Sequence, residues 1–309
     1  MQELPDDIPT KLIYSHNCKQ GAVRAVRFNV DGTYVLSCGS DKSVKLWNPH
    51  RNLLLKSYIG HGFEVLDAQG SSDNSQICSC SMDKTVMVFD VATGKSLRKY
   101  RGHAGTVNCV RFNEESTLVL SGSIDSTIRI YDLKSRKMEP IQILDEAKDG
   151  VTCIQVSDHE ILSGSADGRI RRYDLRVGKM TVDLIGKSIT SVTFTRDSQC
   201  VLVSTLDSSL KLMDKDTGEM LNEYVGHTNT DYRIDSCLNS KDTHILSGSE
   251  NGSVYIWDLI EGKVLHHLPH EGQKVVHSLT FHPSENCLIT AAGDTMYVWK
   301  SRHAASLDT

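Results

Sequence analysis

Apolar and polar residues alternate along this chain in short runs, which is the pattern of half-buried β-strands rather than of helices. Turn dipeptides such as Asp31-Gly32, Asp167-Gly168 and Asn251-Gly252 separate the runs and suit tight hairpins. In one stretch the alternating apolar positions are, in order, Val107, Val110, Phe112, Leu118, Leu120, Ile128 and Ile130. The pattern predicts groups of four short antiparallel strands.

A repeat appears when the ends of the apolar runs are aligned. Each unit closes on a large residue, and consecutive closing positions are 42, 42, 42, 40, 44 and 42 residues apart: Trp47, Phe89, Tyr131, Tyr173, Met213, Trp257 and Trp299. A single four-stranded unit cannot bury both of its faces, so seven units must cover one another around a channel. We therefore predict an all-β fold, a seven-bladed β-propeller.

Closure of the ring follows from counting strands. Only ten residues follow Trp299, and they show no apolar alternation, whereas residues 10–14 resemble the last strands of other units. We expect the N-terminal strand to complete the last blade and to remove the exposed sheet edges of an open ring. The predicted organisation is an N-terminal tail over residues 1–9, a propeller over residues 10–300 and a C-terminal tail over residues 301–309.

The units also share polar positions, and these resemble the WD-repeat family. A Gly-His pair opens units two, three and six, and a serine, an acidic residue and the closing aromatic follow at regular spacing. The resemblance implies a structural tetrad, a set of four side chains in each blade whose buried carboxylate accepts hydrogen bonds from the other members. The tetrad-like residues here are His61, Ser79 and Asp83, then His103, Ser121 and Asp125, then His227, Ser247 and Trp257. Unit five, with Val203 and Met213 at these positions, departs furthest from the pattern.

Composition and charge narrow the function. The chain of 309 residues is 39% hydrophobic and 24% charged, which is typical of a folded protein, and its net charge of −5 disfavours direct binding of nucleic acid. The acidic residues 1–7 do not resemble a signal peptide, and no apolar run predicts membrane insertion. Nine dispersed cysteines, including Cys78 and Cys80 in one strand pattern, fit a reducing compartment and a buried, metal-free role.

Catalytic motifs are missing from the sequence. Neither Gly-Lys-Ser stretch, at residues 94–96 and 186–188, has the upstream glycine of a phosphate-binding loop, and no nucleophile elbow or His-Glu-x-x-His motif occurs. His266, His267 and His270 form the one histidine cluster, without the ligand spacing of a metal site. We expect no enzyme activity, no metal and no cofactor.

One face of the ring is the expected partner surface. The residue before each acidic position should project at the channel mouth, and three of these residues are large and apolar, namely Met82, Ile124 and Leu206; nearby loops add Phe63, Glu64 and Tyr232. The alternative is that the three apolar side chains fold inward between blades. The 44-residue spacing predicts a two-residue extension around residues 228–232.

Arg172 interrupts a position that is apolar in the other units. It either pairs with a carboxylate such as Asp145 or Asp149, or it is one of the partner-binding residues, as a basic element lining the channel or a groove between blades. The sequence supports both interpretations.

Several stretches, among them residues 21–32, 121–126, 156–162 and 212–219, resemble a group of WD-repeat scaffolds that organise mitogen-activated protein kinase cascades. That resemblance implies a monomeric propeller in larger cytoplasmic and nuclear complexes, with the Raf, MEK and ERK cascade components, a HIF prolyl hydroxylase and spliceosomal proteins as partners in signalling and pre-mRNA splicing. The alternative function is a substrate receptor of a cullin-RING ubiquitin ligase, because residues 131–134 and 173–176 resemble the box that binds the ligase adaptor.

Overall fold

The computed structural model describes residues 8–301, which form 28 strands in seven four-stranded sheets and one short 3₁₀ turn, Glu271–Gln273. The strands in chain order are β1 (Lys11–Asn17), β2 (Val23–Phe28), β3 (Val35–Gly39), β4 (Ser43–Asn48), β5 (Leu53–Ile59), β6 (Val65–Gly70), β7 (Gln76–Ser81), β8 (Val86–Asp90), β9 (Ser96–Tyr100), β10 (Val107–Phe112), β11 (Leu118–Ser123), β12 (Ile128–Asp132), β13 (Gln142–Leu144), β14 (Val151–Val156), β15 (Glu160–Ser165), β16 (Arg169–Asp174), β17 (Lys179–Leu184), β18 (Ile189–Phe194), β19 (Cys200–Thr205), β20 (Ser209–Asp214), β21 (Met220–Val225), β22 (Ser236–Leu238), β23 (His244–Ser247), β24 (Ser253–Asp258), β25 (Val264–Pro269), β26 (Val276–Phe281), β27 (Cys287–Ala292) and β28 (Thr295–Lys300). The prediction of an all-β, seven-bladed propeller is confirmed.

Six blades are continuous in sequence, and each is an antiparallel sheet in chain order, from β2-β3-β4-β5 to β22-β23-β24-β25. The seventh is not, because β1 joins it in the order β1-β28-β27-β26. Leu12 lies opposite Trp299, and Asn17 lies opposite Thr295. The N-terminal strand therefore closes the ring, as predicted.

Packing begins before that strand. Ile8 is buried in the apolar cluster that contains Leu246 and Val254 of blade six and Trp299 of blade seven. The N-terminal segment thus contributes to the interior two residues ahead of the predicted boundary at residue 10. This segment therefore packs against blades six and seven, in addition to pairing with the edge strand β28.

The core lies between the blades and not within one of them. In the first interface, Ala25, Val44 and Tyr58 of blade one pack on Ile77 and Phe89 of blade two. Equivalent clusters follow around the ring, and they include fully buried Tyr100, Tyr131, Tyr224 and Trp257. Each sheet covers its neighbour's face, which is the burial that the repeat predicts.

The cysteines are part of this packing. All nine are free thiols, and Cys78 and Cys80 are fully buried. Burial raises the pKa of the Cys109 thiol to about 12, so this thiol is protonated at neutral pH. Among residues 8–301 there is no helix long and apolar enough to cross a membrane.

An irregularity recurs at the inner edge of the ring. In six blades the pairing of the first strand with the second shifts by one residue just after the first strand begins, as between Val23 and Ala25. Such a bulge re-aims the side chain of the extra residue. The extra residues are Arg24, Leu66, Asn108, Thr152, Thr190 and His277, and four of them line the channel mouth described below.

Candidate functional site

In blade two, the predicted tetrad-like residues His61, Ser79 and Asp83 form a hydrogen-bond network. We call such a network a relay. The Nδ1 of His61 lies 3.2 Å from the Asp83 carboxylate, and its Nε2 lies 2.8 Å from the Ser79 hydroxyl. The carboxylate also accepts hydrogen bonds from the Gly62 amide and the Thr85 hydroxyl. Burial raises the pKa of Asp83, but these donors together hold it far below its ordinary value. The relay ties the loop before β6 to the turn after β7.

Blade three repeats this arrangement. His103 donates through Nδ1 to Asp125 at 2.9 Å, and the Ser121 hydroxyl lies 2.8 Å from its Nε2. Hydrogen bonds from Thr127 and His103 outweigh burial and lower the pKa of Asp125 to about 2. Burial lowers the pKa of His103, so the imidazole is neutral and the relay is a hydrogen-bond chain around a single carboxylate.

The tetrad-like set expected in blade six is not connected. The Trp257 indole donates to the Val225 carbonyl at 3.0 Å, and the Ser247 hydroxyl donates to the carbonyl of Gly248. His227 packs edge-on against Trp257, and within the described part of the chain neither of its ring nitrogens has a hydrogen-bond partner. The expectation of a relay here is wrong. Asn251 stands at the acidic position and its amide turns to Tyr255, so no carboxylate orients the imidazole.

Blades seven and one contain two further relays; the sequence predicts Ser37 and Trp47 of blade one as part of a tetrad without its histidine, whereas it does not predict the blade seven relay. In blade seven the Trp299 indole donates to the Thr290 hydroxyl at 3.0 Å, and that hydroxyl lies 2.6 Å from Nε2 of His270. In blade one Gln20 replaces the histidine. The Ser37 hydroxyl bonds to the Gln20 amide oxygen and accepts from Trp47 at 2.8 Å. A threonine nine residues before the closing tryptophan is the signal that would have found the blade seven relay.

The predicted partner surface surrounds a cavity of about 340 Å³ at one mouth of the channel. Met82, Ile124, Glu64 and Tyr232 all line it. Met82 is 44% exposed and Ile124 is 58% exposed, so these two side chains do not fold inward between blades. We call this set the mouth surface: Arg24, Glu64, Leu66, Met82, Thr106, Asn108, Ile124, Tyr232, Arg233, Asp235 and His277.

Three predicted partner residues lie outside the mouth surface: Phe63, Leu206 and Arg172, the last of which is described below. Phe63 is exposed beside it, with the Lys42 ammonium 5.6 Å from its ring. Leu206 is half-buried, and its backbone amide donates to the carbonyl of Ser188 in the preceding loop. Blade five is thus not part of this cavity, because the mouth surface is assembled from blades one, two, three, six and seven.

Polar contacts hold the mouth surface in place. The Arg24 guanidinium pairs with Glu64 at 3.1 Å across blades one and two. The extension in blade six is organised by Glu250, whose carboxylate accepts backbone hydrogen bonds from Thr230, Asp231 and Tyr232. These donors outweigh burial and lower the pKa of Glu250. The Tyr232 ring then packs edge-on against His277.

Behind the mouth surface, ion pairs link a group of described residues that we call the channel cluster, two of which (Arg233 and Asp235) also line the mouth surface: Arg27, Asp67, Arg111, Arg233 and Asp235. The buried Asp67 carboxylate contacts Arg27 at 3.1 Å and Arg111 at 2.5 Å. Arg27 also reaches Asp235 at 2.8 Å. Burial raises the pKa of Asp235, but Arg27 and Arg233 bring it below its ordinary value. The cluster joins blades one, two, three and six across the channel.

Arg172 lies away from the channel, between blades four and five. Its guanidinium is 3.8 Å from Glu160 and 3.5 Å from Asp216, and its Nε donates to Thr181. The predicted pairing with a carboxylate and the predicted position in a groove between blades are both observed, but the suggested partners Asp145 and Asp149 are wrong. Lys215 also contacts Glu160, at 3.0 Å, so two cations share this buried carboxylate.

Seven four-stranded blades, closed by the N-terminal strand and braced by His–Ser–Asp relays, define a WD-repeat propeller, a fold that serves as a protein-interaction scaffold. The family model "WD domain, G-beta repeat" matches residues 9–48, 52–90, 94–132, 138–174, 218–258 and 262–300, which leaves the divergent fifth unit unmatched.

Comparison with related proteins identifies the group within this family to which the chain belongs. The chain is 68% identical over 292 residues to WD repeat domain-containing protein 83 of Danio rerio, covering 94% of this chain and 92% of the relative. It is 64% identical over 296 residues to the protein of that name from Homo sapiens, covering 96% and 94%. A homolog of that protein in Dictyostelium discoideum is 36% identical over 318 residues, covering 94% and 97%. The chain therefore belongs to the WD-repeat family, within the group of WD repeat domain-containing protein 83.

Proposed function

We propose that this chain is a non-enzymatic scaffold that gathers components of a mitogen-activated protein kinase cascade and also joins spliceosomal complexes, in the cytoplasm and in the nucleus. The likeness to WD repeat domain-containing protein 83 over nearly the whole chain supports the proposal. A HIF prolyl hydroxylase is a further partner under the same proposal. Direct contact with nucleic acid is not part of it, because the net charge is −5.

The mouth surface is the observation that carries this proposal. Met82 and Ile124 are exposed beside Tyr232, which is itself 45% exposed, and the Arg24–Glu64 pair lies at their edge. An apolar and aromatic centre with a polar border is the composition of a protein-binding site. The relays of blades two and three support this surface by fixing the loops and turns that present Met82 and Ile124.

The test replaces both apolar side chains, as Met82→Asp with Ile124→Asp, in the full chain. Because both side chains are exposed, we expect an unchanged melting temperature and a loss of partners in affinity purification from nuclear and cytoplasmic fractions. The matched control is Val177→Asp with Ile260→Asp, at sites 72% and 88% exposed and outside the mouth surface. The control variant should keep the kinase-cascade and spliceosomal partners.

Two results would count against the proposal. A folded mouth variant that retains every partner would move the binding site to another face. Recovery of a cullin-RING adaptor in place of kinase and spliceosomal proteins would favour the ubiquitin ligase receptor instead. Leu206→Asp provides a further comparison, since Leu206 does not line the cavity.

A further inference from the structure

The channel cluster carries an unequal number of charges. Within residues 8–301 it contains three guanidinium groups and two carboxylates, each linked to another member at 4.0 Å or less. Arg27 and Arg111 make the close contacts, at 2.5 to 3.1 Å. Arg233 makes the distant ones, at 3.8 Å from Asp235 and 4.0 Å from Asp67. Arg233 is therefore the cation with the most distant carboxylate partners, and we assign the single surplus positive charge of the cluster to it.

Arg233 is placed between two cavities. It lines both the mouth surface and a larger cavity of about 430 Å³ at the opposite end of the channel. One guanidinium nitrogen donates to the Asn108 carbonyl of blade three, which holds the side chain across the channel. Its buried Nε has no hydrogen-bond partner among the residues that the structure describes. A ligand entering from the mouth surface would meet this guanidinium at the cavity floor.

The other charged groups at the mouth do not offset this charge. Glu64 is already paired with Arg24 at 3.1 Å, and the Glu250 carboxylate accepts the backbone N–H groups of the blade six extension. His277 is neutral, because burial lowers its pKa to about 4. Asp235 also accepts a hydrogen bond from the Ser278 hydroxyl at 2.8 Å and is shared with Arg27. An anion supplied from outside is what would balance Arg233.

We propose that the mouth surface binds a partner peptide that inserts one aspartate or glutamate side chain toward Arg233 while apolar neighbours in the peptide pack on Met82, Ile124 and Tyr232. This inference rests on the proposed function and specifies the chemistry of the partner. A carboxylate on a guanidinium forms charge-assisted hydrogen bonds, which are strong in a cavity shielded from water. The apolar border supplies the shielding.

The size of the excess charge favours a carboxylate over a phosphate. The channel cluster carries one surplus positive charge, and one carboxylate neutralises it. A phosphorylated side chain brings a charge of about −1.5 to −2 and would leave the site negative. The mouth surface offers no second free cation within the described residues, since the guanidinium of Arg24 is held by Glu64.

The experiment is a positional-scanning library of immobilised octapeptides, in which one position is fixed in turn as Asp, Glu, Asn, Gln, Lys, phosphoserine or Leu and the others are degenerate. The purified full chain should retain roughly tenfold more of the Asp and Glu pools than of the Asn and Gln pools, with Leu enriched beside the acid. Arg233→Met should abolish the acid preference, and Arg233→Lys should keep part of it.

The matched control is Arg196→Met, which removes an exposed arginine from the opposite cavity and should leave the acid preference intact. Arg233→Met loses the hydrogen bond to Asn108 but breaks no ion pair shorter than 3.8 Å, so the variant should stay folded, as thermal melting will check; Arg233→Gln is the second variant should the methionine not fold.

An absent acid preference, a preference that survives in Arg233→Met, or a stronger preference for phosphoserine would each overturn the inference. These outcomes are separate from the partner purification with the Met82 and Ile124 variants, which tests the proposed function alone.

Discussion

Asp67→Asn is the change that most directly tests the channel cluster. Asp67 has no exposed surface, and its carboxylate contacts Arg27 of blade one and Arg111 of blade three. Asparagine has nearly the same shape as aspartate. Its side chain, however, replaces one of the two carboxylate oxygens that face the Arg27 and Arg111 guanidinium groups with an NH₂ group. The substitution also raises the surplus positive charge in the cluster from one to two. It therefore changes the charge and leaves the packing nearly unaltered.

The expected loss follows from the contacts. Removing one partner of a buried ion pair costs about 3–5 kcal/mol. The Arg27 and Arg111 side chains are 15% and 17% exposed, and this partial access to solvent places the estimate at the lower end, about 3 kcal/mol. For a chain of 309 residues, with about 2.1 cal/mol/K of unfolding entropy per residue, that loss corresponds to a fall of roughly 5 °C in melting temperature.

Urea unfolding and thermal melting of the parent and the variant measure this effect, and the two methods should agree in sign. Asp158→Asn is the matched control, because its side chain is 86% exposed and lies 3.8 Å from His159; it should melt with the parent. A double variant, Asp67→Asn with Arg233→Met, returns the surplus charge to one. It should recover part of the lost stability, since the penalty is electrostatic.

A loss in the free energy of unfolding of Asp67→Asn below about 1 kcal/mol, the range of an exposed pair, would refute the predicted role of Asp67. A double variant that is less stable than the single variant would refute it as well. In the first case Arg27 and Arg111 would be sufficiently solvated without Asp67. In the second case Arg233 would stabilise the channel through its contact with Asn108 and would carry no surplus charge.

Deleting residues 1–16 removes almost all of β1 and exposes the edge of β28, so we expect a sharply lower melting temperature and aggregation; an unchanged melting curve would contradict the closure. The lowered pKa of Asp125 stabilises the fold above its ordinary pKa of 3.8, and this contribution is lost as the pH falls from about 3.8 through about 2. Acid unfolding of Asp125→Asn should lack that part of the pH dependence, and an identical profile would refute the assignment. Arg172→Ala should cost about 1 kcal/mol by thermal melting, because Lys215 continues to neutralise Glu160; a loss above about 3 kcal/mol would show that Arg172 is the essential partner.

Much of the mouth surface could be predicted, because repeat register places equivalent residues at equivalent points of the ring. The position before each acidic residue projects at the mouth, and Met82 and Ile124 lie there as expected. Leu206 occupies the same register but does not line the cavity, which is lined by blades one, two, three, six and seven. That extension is placed by Glu250, a contact between a turn and a loop that no local pattern encodes.

The relays, too, could be predicted from the sequence only in part. Blades two and three follow the spacing of histidine, serine and aspartate closely, so their hydrogen bonds could be anticipated. Blade six keeps His227 and Trp257 but has Asn251 in place of the acid, and one substitution disconnects the set. The partners of Arg172 were also misjudged, because Asp145 and Asp149 are near in sequence whereas Asp216 belongs to the next blade.

The sequence by itself determined the strands, the number of blades and the closing role of the N-terminal segment. These depend on alternation, turn residues and a period near 42, which are properties of neighbouring positions. Only the tertiary structure decided the channel cluster, where Arg27 meets Asp235 although 208 residues separate them. Ring closure brings the first strands of distant blades to one axis, and pairing across that axis depends on side-chain reach and burial, which no repeat pattern records.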